Sequence, residues 1–169
     1  GVVYEGDSTF YTPELALEDN SVYYWRVTAI DLAFATTVNE GGYQSFVVNT
    51  VNDSPTIAEL ISPDSVVVLS DLPTFSWNAS TDVDPYDSLS YELHWWTDIT
   101  EMDSILTTET SVSPETPLAD DNLQYFWNVI TMDANGGIAH SEENTFWVDF
   151  MPEVPASFAL LGPDSASAG

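Results

Sequence analysis

The 169-residue sequence predicts an all-β protein made of antiparallel two-layer sandwiches. Residues 89–96 alternate apolar and polar side chains, which is the period-two pattern of a half-buried strand. Further segments are rich in aromatic and β-branched residues, and clusters of turn-forming residues separate them. The additional strand candidates are 75–77, 110–112, 123–131 and 145–150, and the turn clusters are 82–87, 120–122 and 133–137. Because no stretch of a dozen residues keeps a helical period, about seven short strands in about 100 residues favour a sandwich.

The composition is strongly acidic, with 28 Asp and Glu residues, a single basic residue (Arg26) and a net charge of −27. This charge repels phosphate, which argues against nucleic-acid binding and against docking on anionic lipid. Only 17% of the residues are charged whereas 44% are apolar, so the chain is not a disordered acidic tail. The absence of Cys excludes disulfides and thiolate chemistry. No apolar run approaches the roughly 20 residues of a membrane span.

The sequence repeats with a spacing of about 100 residues. Three blocks return in the same order at nearly one spacing, and such an order predicts a tandem array. The matched blocks are 23–31 with 125–133, 45–49 with 145–149, and 60–65 with 160–165.

The prolines at 55 and 155 place the expected unit boundaries. We expect the chain to be a window from a longer array, because its first unit contains only a second half. A half-unit cannot bury its own inner face, so we expect further sequence or a neighbouring chain to complete it. The expected units are 1–54 (the C-terminal half of one repeat), 55–152 (a complete repeat) and 153–169 (the start of a third).

Several residues recur at characteristic places in these units. A Trp lies in the second strand of the complete unit (Trp77), and its third strand has a Tyr-x-Leu pattern (Tyr91, Leu93). A Leu also precedes a Tyr-x-aromatic-x-Val strand in both units. The residues of that last pattern are Leu17, Tyr23, Trp25, Val27 and Ala29 in the first unit, and Leu118, Tyr125, Trp127, Val129 and Thr131 in the second.

With these residues the chain resembles fibronectin type III-like domains, particularly the tandem repeats of large bacterial surface proteins. The resemblance implies an immunoglobulin-like (fibronectin type III) sandwich. It also implies that Tyr23 and Tyr125 are tyrosine-corner residues, whose hydroxyls bond the backbone of the preceding loop. Its motifs are structural and carry no chemistry. The Arg-Gly-Asp tripeptide is absent, so integrin-type adhesion does not transfer.

Asp82, Asp84 and Asp87 form a D-x-D-P-x-D turn before the third strand. Calcium favours several carboxylate and carbonyl oxygens on a flexible loop, so this turn is a candidate calcium site. The linker 49–55 also resembles the calcium-bearing linkers of cadherin-like repeats. The alternative is that these residues are ordinary turn formers whose side chains bond nearby backbone. No cofactor other than calcium is expected.

The strand alternation also predicts an exposed aromatic face. If Tyr125, Trp127 and Val129 point inward, their neighbours in the strand point outward, and the same reasoning applies to two adjacent strands. A contiguous apolar patch is rare on a free monomer and indicates an interface; the alternative is a bulge that turns some of these side chains inward. The predicted patch residues are Trp96, Phe126, Ile130 and Trp147.

The sequence therefore predicts a structural or adhesive segment of a long extracellular or cell-surface protein. Its expected partners are other copies or neighbouring repeats, assembled into a filament through the aromatic face. The alternative is an accessory module of a secreted polysaccharide-active enzyme that binds glycans through Trp96 and Trp147, and a passive spacer is a third possibility. No nucleophile-elbow motif or phosphate-binding Gly loop is present, so no catalytic site is expected.

Overall fold

The computed structural model describes residues 4–120, 123–151 and 154–158. All regular elements in these ranges are β-strands, which confirms the all-β prediction, and the described residues contain no helix able to cross a membrane. The strands are β1 (Ser21–Trp25), β2 (Thr28–Ile30), β3 (Thr36–Val38), β4 (Gln44–Val48), β5 (Leu60–Ser62), β6 (Val66–Val68), β7 (Phe75–Trp77), β8 (Ser90–Thr97), β9 (Asp103–Thr107), β10 (Ser111–Val112), β11 (Gln124–Met132), β12 (Ile138–His140) and β13 (Asn144–Val148).

Strands β5 to β13 form an immunoglobulin-like β-sandwich. The smaller sheet has the order β10-β7-β5, and the larger has the order β6-β13-β11-β8-β9, with β12 paired to the end of β11. All pairs in the two sheets are antiparallel except β6 with β13. The three long predicted strands, β8, β11 and β13, lie side by side in one sheet, as the fibronectin type III resemblance implies.

Aromatic side chains fill the space between the two sheets. Phe75 is fully buried at the centre, and its ring centroid lies 5.1 Å from Trp127, 5.5 Å from Phe146 and 6.1 Å from Trp95. The indole of Trp127 is also fully buried and donates a 2.8 Å hydrogen bond to the carbonyl of Pro63. Burial of each such side chain contributes about 1.5–3 kcal/mol, so this cluster stabilises the sandwich.

The structure contains four strands in this unit that the sequence pattern did not indicate, namely β5, β6, β9 and β12. Three of them have only three residues, too few to show alternation. β6 is a run of three valines that forms the edge of the larger sheet by pairing with β13. These strands form because they pair with neighbouring strands of the two sheets, and their local sequence does not indicate them.

Strands β1 to β4 repeat the local structure of β11 to β13. Tyr23 lies opposite Phe46 in the β1–β4 pair, as Tyr125 lies opposite Phe146 in the β11–β13 pair. The two ring pairs are stacked alike, with centroids 5.8 and 5.3 Å apart and an interplanar angle of 22° in both. The β2–β3 register matches the β11–β12 register with a shift of 102 residues.

Both tyrosines make the hydrogen bond expected of a tyrosine corner. The Tyr23 hydroxyl accepts the backbone N–H of Glu18 at 2.8 Å, and the Tyr125 hydroxyl accepts that of Ala119 at 3.0 Å. The unit boundaries at 54/55 and 152/153 stay predictions, and the repeated block at 160–165 lies outside the described residues.

Candidate metal centre and exposed aromatic surfaces

The acidic turn before β8 meets a second loop at one end of the larger sheet. Ser90, at the start of β8, pairs with Met132, at the end of β11. The turn 82–87 leads into β8 and the turn 133–137 leaves β11, so the strand pairing brings the two turns together.

Three carboxylates converge between these turns. Asp82, Asp87 and Asp133 each place one oxygen within 4.8 Å of the others. The structure thus brings together two of the three predicted ligands and adds Asp133, which sequence reasoning assigned only to a turn. Asp84 is not one of this group.

Asp84 instead holds the linker. Its backbone N–H donates to Oδ1 of Asp82 at 2.9 Å, and its Oδ2 accepts the backbone N–H of Asp53 at 2.8 Å. The Asp53 side chain in turn accepts a 2.8 Å hydrogen bond from the amide of Asn20. Asp53 therefore joins the loop before β1 to the sandwich.

The Asp133 carboxylate accepts hydrogen bonds on both of its oxygens. Its Oδ1 accepts the backbone N–H groups of Asn135 at 2.7 Å and Gly137 at 2.8 Å, and its Oδ2 accepts the side-chain amide of Asn52 at 3.0 Å. Burial raises the pKa of Asp133, but the hydrogen bonds from Asn52 and from this turn outweigh burial and hold the pKa below its ordinary value. Asp133 is therefore an anion at neutral pH although only 8% of it is exposed.

Asp87 ties the two turns to each other. Its Oδ1 accepts the backbone N–H of Ser88 at 2.8 Å and that of Ala134 at 3.3 Å, and its Oδ2 accepts the side-chain amide of Asn135 at 3.0 Å. The carboxylate thus closes the gap between 82–87 and 133–137.

Two buried carboxylate oxygens in the first turn have no hydrogen-bond donor among the described residues. They are Oδ2 of Asp82 and Oδ1 of Asp84, and Asp84 as a whole is only 4% exposed. The single basic side chain lies elsewhere, since the guanidinium of Arg26 is stacked 4.8 Å from the centroid of the Tyr43 ring.

The predicted aromatic face lies on the larger sheet. Trp96 is directly opposite Phe126 in the β8–β11 pair, and their rings are stacked with centroids 6.0 Å apart. Trp147 is opposite Gln124, hence diagonal to Phe126, whereas Ile130 is opposite Glu92 at the other end of β11. All four predicted patch residues are half-buried, and the strands alternate as expected without a bulge at these positions.

A more exposed apolar surface lies on residues 21–48, where the segment of β1 and β2 pairs with the segment of β3 and β4; we call these two segments the first hairpin. Trp25 is 48% and Phe46 is 44% exposed, whereas the equivalent Trp127 and Phe146 are fully buried. In the complete unit the smaller sheet covers these positions. Among the described residues no corresponding sheet covers the first hairpin.

Comparison with known proteins gives matches to solved structures alone; no family model and no curated protein matches the chain. The chain is similar to the alpha-L-rhamnosidase of Dictyoglumus thermophilum, with a TM-score of 0.46 and 18% identity over 59% of this chain and 13% of that one. It is similar to the FN1–FN3 domains of chicken CNTN1, with a TM-score of 0.49 and 10% identity over 75% of this chain and 44% of that one. For domains d3–d4 of the rat CD45 extracellular region the TM-score is 0.49 and the identity 8%, over 86% and 73% of the two chains. The chain thus spans less than half the length of the first two structures.

Proposed function

We propose that this chain is a structural segment of a long extracellular protein, built from fibronectin type III-like sandwiches in series and assembled with further copies through exposed aromatic side chains. It performs no catalysis in this proposal. The acidic surface keeps separate chains apart in solution, so association depends on specific apolar contacts.

The observation that carries this proposal is the exposed inner face of the first hairpin. Trp25, Val27 and Phe46 occupy positions that are buried in the complete unit, yet each is more than 40% exposed. An apolar face of this kind on a soluble protein marks an interaction site. The occupant that fits is a sheet presenting aromatic side chains, as the smaller sheet does with Phe75 and Trp77. Either a further segment of the same protein or another copy can supply such a sheet.

Analytical ultracentrifugation over a range of protein concentrations tests the proposal. We expect species larger than the monomer, and we expect Phe46→Ser to shift the equilibrium toward the monomer. Tyr86→Ser is the matched control, because Tyr86 is 92% exposed in the turn 82–87 and belongs to neither aromatic surface. A monomer at every concentration would overturn the assembly proposal.

A second candidate is a glycan-binding accessory module, which the stacked Trp96–Phe126 pair and the adjacent Trp147 support. Stacked, half-buried aromatic rings offer a flat apolar surface to the face of a sugar ring. Under this alternative Trp147→Ala abolishes glycan affinity and leaves the association state unchanged. Under the assembly proposal no glycan is bound, and Phe46→Ser, which changes the exposed face of the first hairpin, weakens association.

A further inference from the structure

We infer that a calcium ion binds between the turns 82–87 and 133–137 and fixes the linker 49–55 to the sandwich. This site is independent of assembly and of glycan binding. It revises the calcium site that the sequence predicts, because Asp133 joins Asp82 and Asp87 as the converging group, and Asp84 connects the site to the linker.

The first step of the argument is the convergence of like charges. Three carboxylate oxygens lie within 4.8 Å of one another, on loops held together by the pairing of β8 with β11. Asp133 is nearly buried. Repulsion among these groups destabilises the loops unless positive charge enters.

The second step is independent of the clustering. Oδ2 of Asp82 and Oδ1 of Asp84 are buried and lack a donor among the described residues, and leaving such oxygens unpaired is costly. Asp84 is 96% removed from solvent, yet only its other oxygen is bonded, to the linker at Asp53. A bound cation satisfies oxygens that the protein leaves without donors.

The third step identifies the cation. The chain has one Lys or Arg residue for 28 acidic ones, and Arg26 is stacked on Tyr43, so no Lys or Arg side chain supplies the missing charge. The atoms available as metal ligands are carboxylate and amide oxygens, and no sulfur is among them. A hard divalent ion with flexible coordination, namely calcium, suits this set better than a transition metal or the rigid octahedral magnesium.

The consequence is a stiffer joint. The linker already contacts the site at two places, through the Asn52 amide on Asp133 and the Asp53 N–H on Asp84. The Asn20 amide adds a third contact on Asp53, and its own Oδ1 is buried and unbonded within the described structure. Fixing both turns with one ion therefore restrains the loop before β1 relative to the sandwich.

Isothermal titration calorimetry of the whole chain with CaCl₂, at about 0.15 M salt to screen surface carboxylates, tests the inference. We expect one site per chain with a dissociation constant of about 0.1–1 mM, the range of extracellular calcium modules. Asp87→Asn and Asp133→Asn should each weaken binding by at least about tenfold. Circular dichroism verifies that the variants fold.

Asp31→Asn is the matched control. Asp31 makes the same turn after β2, accepting the backbone N–H groups of Ala33 and Ala35, but it is not part of the carboxylate group. Its substitution should leave calcium affinity unchanged. Added calcium should also raise the melting temperature, and a chelator should reverse this. Absence of saturable binding in the wild type, or equal losses in Asp31→Asn and Asp133→Asn, would overturn the inference.

Discussion

The side-chain amide of Asn52 donates a 3.0 Å hydrogen bond to Oδ2 of Asp133, 81 residues further along the chain. This contact makes the linker part of the sandwich surface. It also explains why residue 137 is a glycine. A Cβ at Gly137 would collide with Oδ2 of Asp133 and lie 3.0 Å from the Cα of Ser54. The equivalent turn after β2 has Ala35 at this place and the same hydrogen bond to Asp31, so the turn itself tolerates a methyl group.

We predict that Gly137→Ala displaces the linker without unfolding the sandwich, because the added methyl group occupies the space of Asp133 and Ser54. Amide exchange at Asp53 should accelerate, while exchange in β8 and β11 should not change. Gly136→Ala is the control: Gly136 has φ +100° with open space around it, so this substitution strains the turn and leaves the linker in place. Equal acceleration at Asp53 in both variants would show that turn strain alone is responsible.

We predict that Tyr125→Phe destabilises the sandwich by about 0.5–1.5 kcal/mol, the usual net value of one hydrogen bond. The substitution leaves the N–H of Ala119 without the hydroxyl that it bonds at 3.0 Å. Urea denaturation followed by Trp fluorescence measures the change. Tyr86→Phe, at a 92% exposed position, should be neutral. A neutral Tyr125→Phe would mean that the corner bond does not contribute to stability.

The sequence predicted those features of the fold that depend on local alternation of apolar and polar residues and on the internal repeat. The inward positions of β8 and β11 follow from the spacing of apolar side chains, whereas both tyrosine corners were expected from the fibronectin type III resemblance. The edge strands depend on pairing with distant partners, so β6 has no local signal. The role of Asp133 is an intermediate case, because it depends both on a locally predicted strand and on the pairing of distant strands. It follows the β11 pattern directly, and pairing the start of β8 with the end of β11 would have placed it beside Asp82 and Asp87.

We predict that Asp133 titrates below its ordinary pKa of 3.8 and that Asn52→Ala raises this midpoint. Burial opposes ionisation, and the Asn52 amide is the largest of the hydrogen bonds that overcome it. Because the folded pKa is depressed, the stabilisation is complete above pH 3.8 and is lost as the pH falls through the lower folded value. Carboxyl ¹³C chemical shifts measure both midpoints.

Asp19 serves as the internal control for that titration. Hydrogen bonds from Thr50, first from its backbone N–H, lower the pKa of Asp19, and Asn52 takes no part in them. Its midpoint should therefore stay below 3.8 in the Asn52→Ala variant. A midpoint of Asp133 that does not move in this variant would contradict the assigned cause.

We predict that the same substitution has different costs in the two repeated hairpins. Phe146→Ala removes a fully buried ring that packs on Phe75 and Tyr125, so it should cost about 3–5 kcal/mol. Phe46→Ala removes the equivalent ring, which is 44% exposed and stacks on Tyr23 alone among the described rings. In dilute solution this substitution should therefore lower the free energy of unfolding by well below half as much. Urea denaturation at two protein concentrations measures both values. A cost of Phe46→Ala that grows with protein concentration would show that assembly buries the first hairpin. Equal costs for the two substitutions at the lowest concentration would mean that the inner face of the first hairpin is already covered in the monomer.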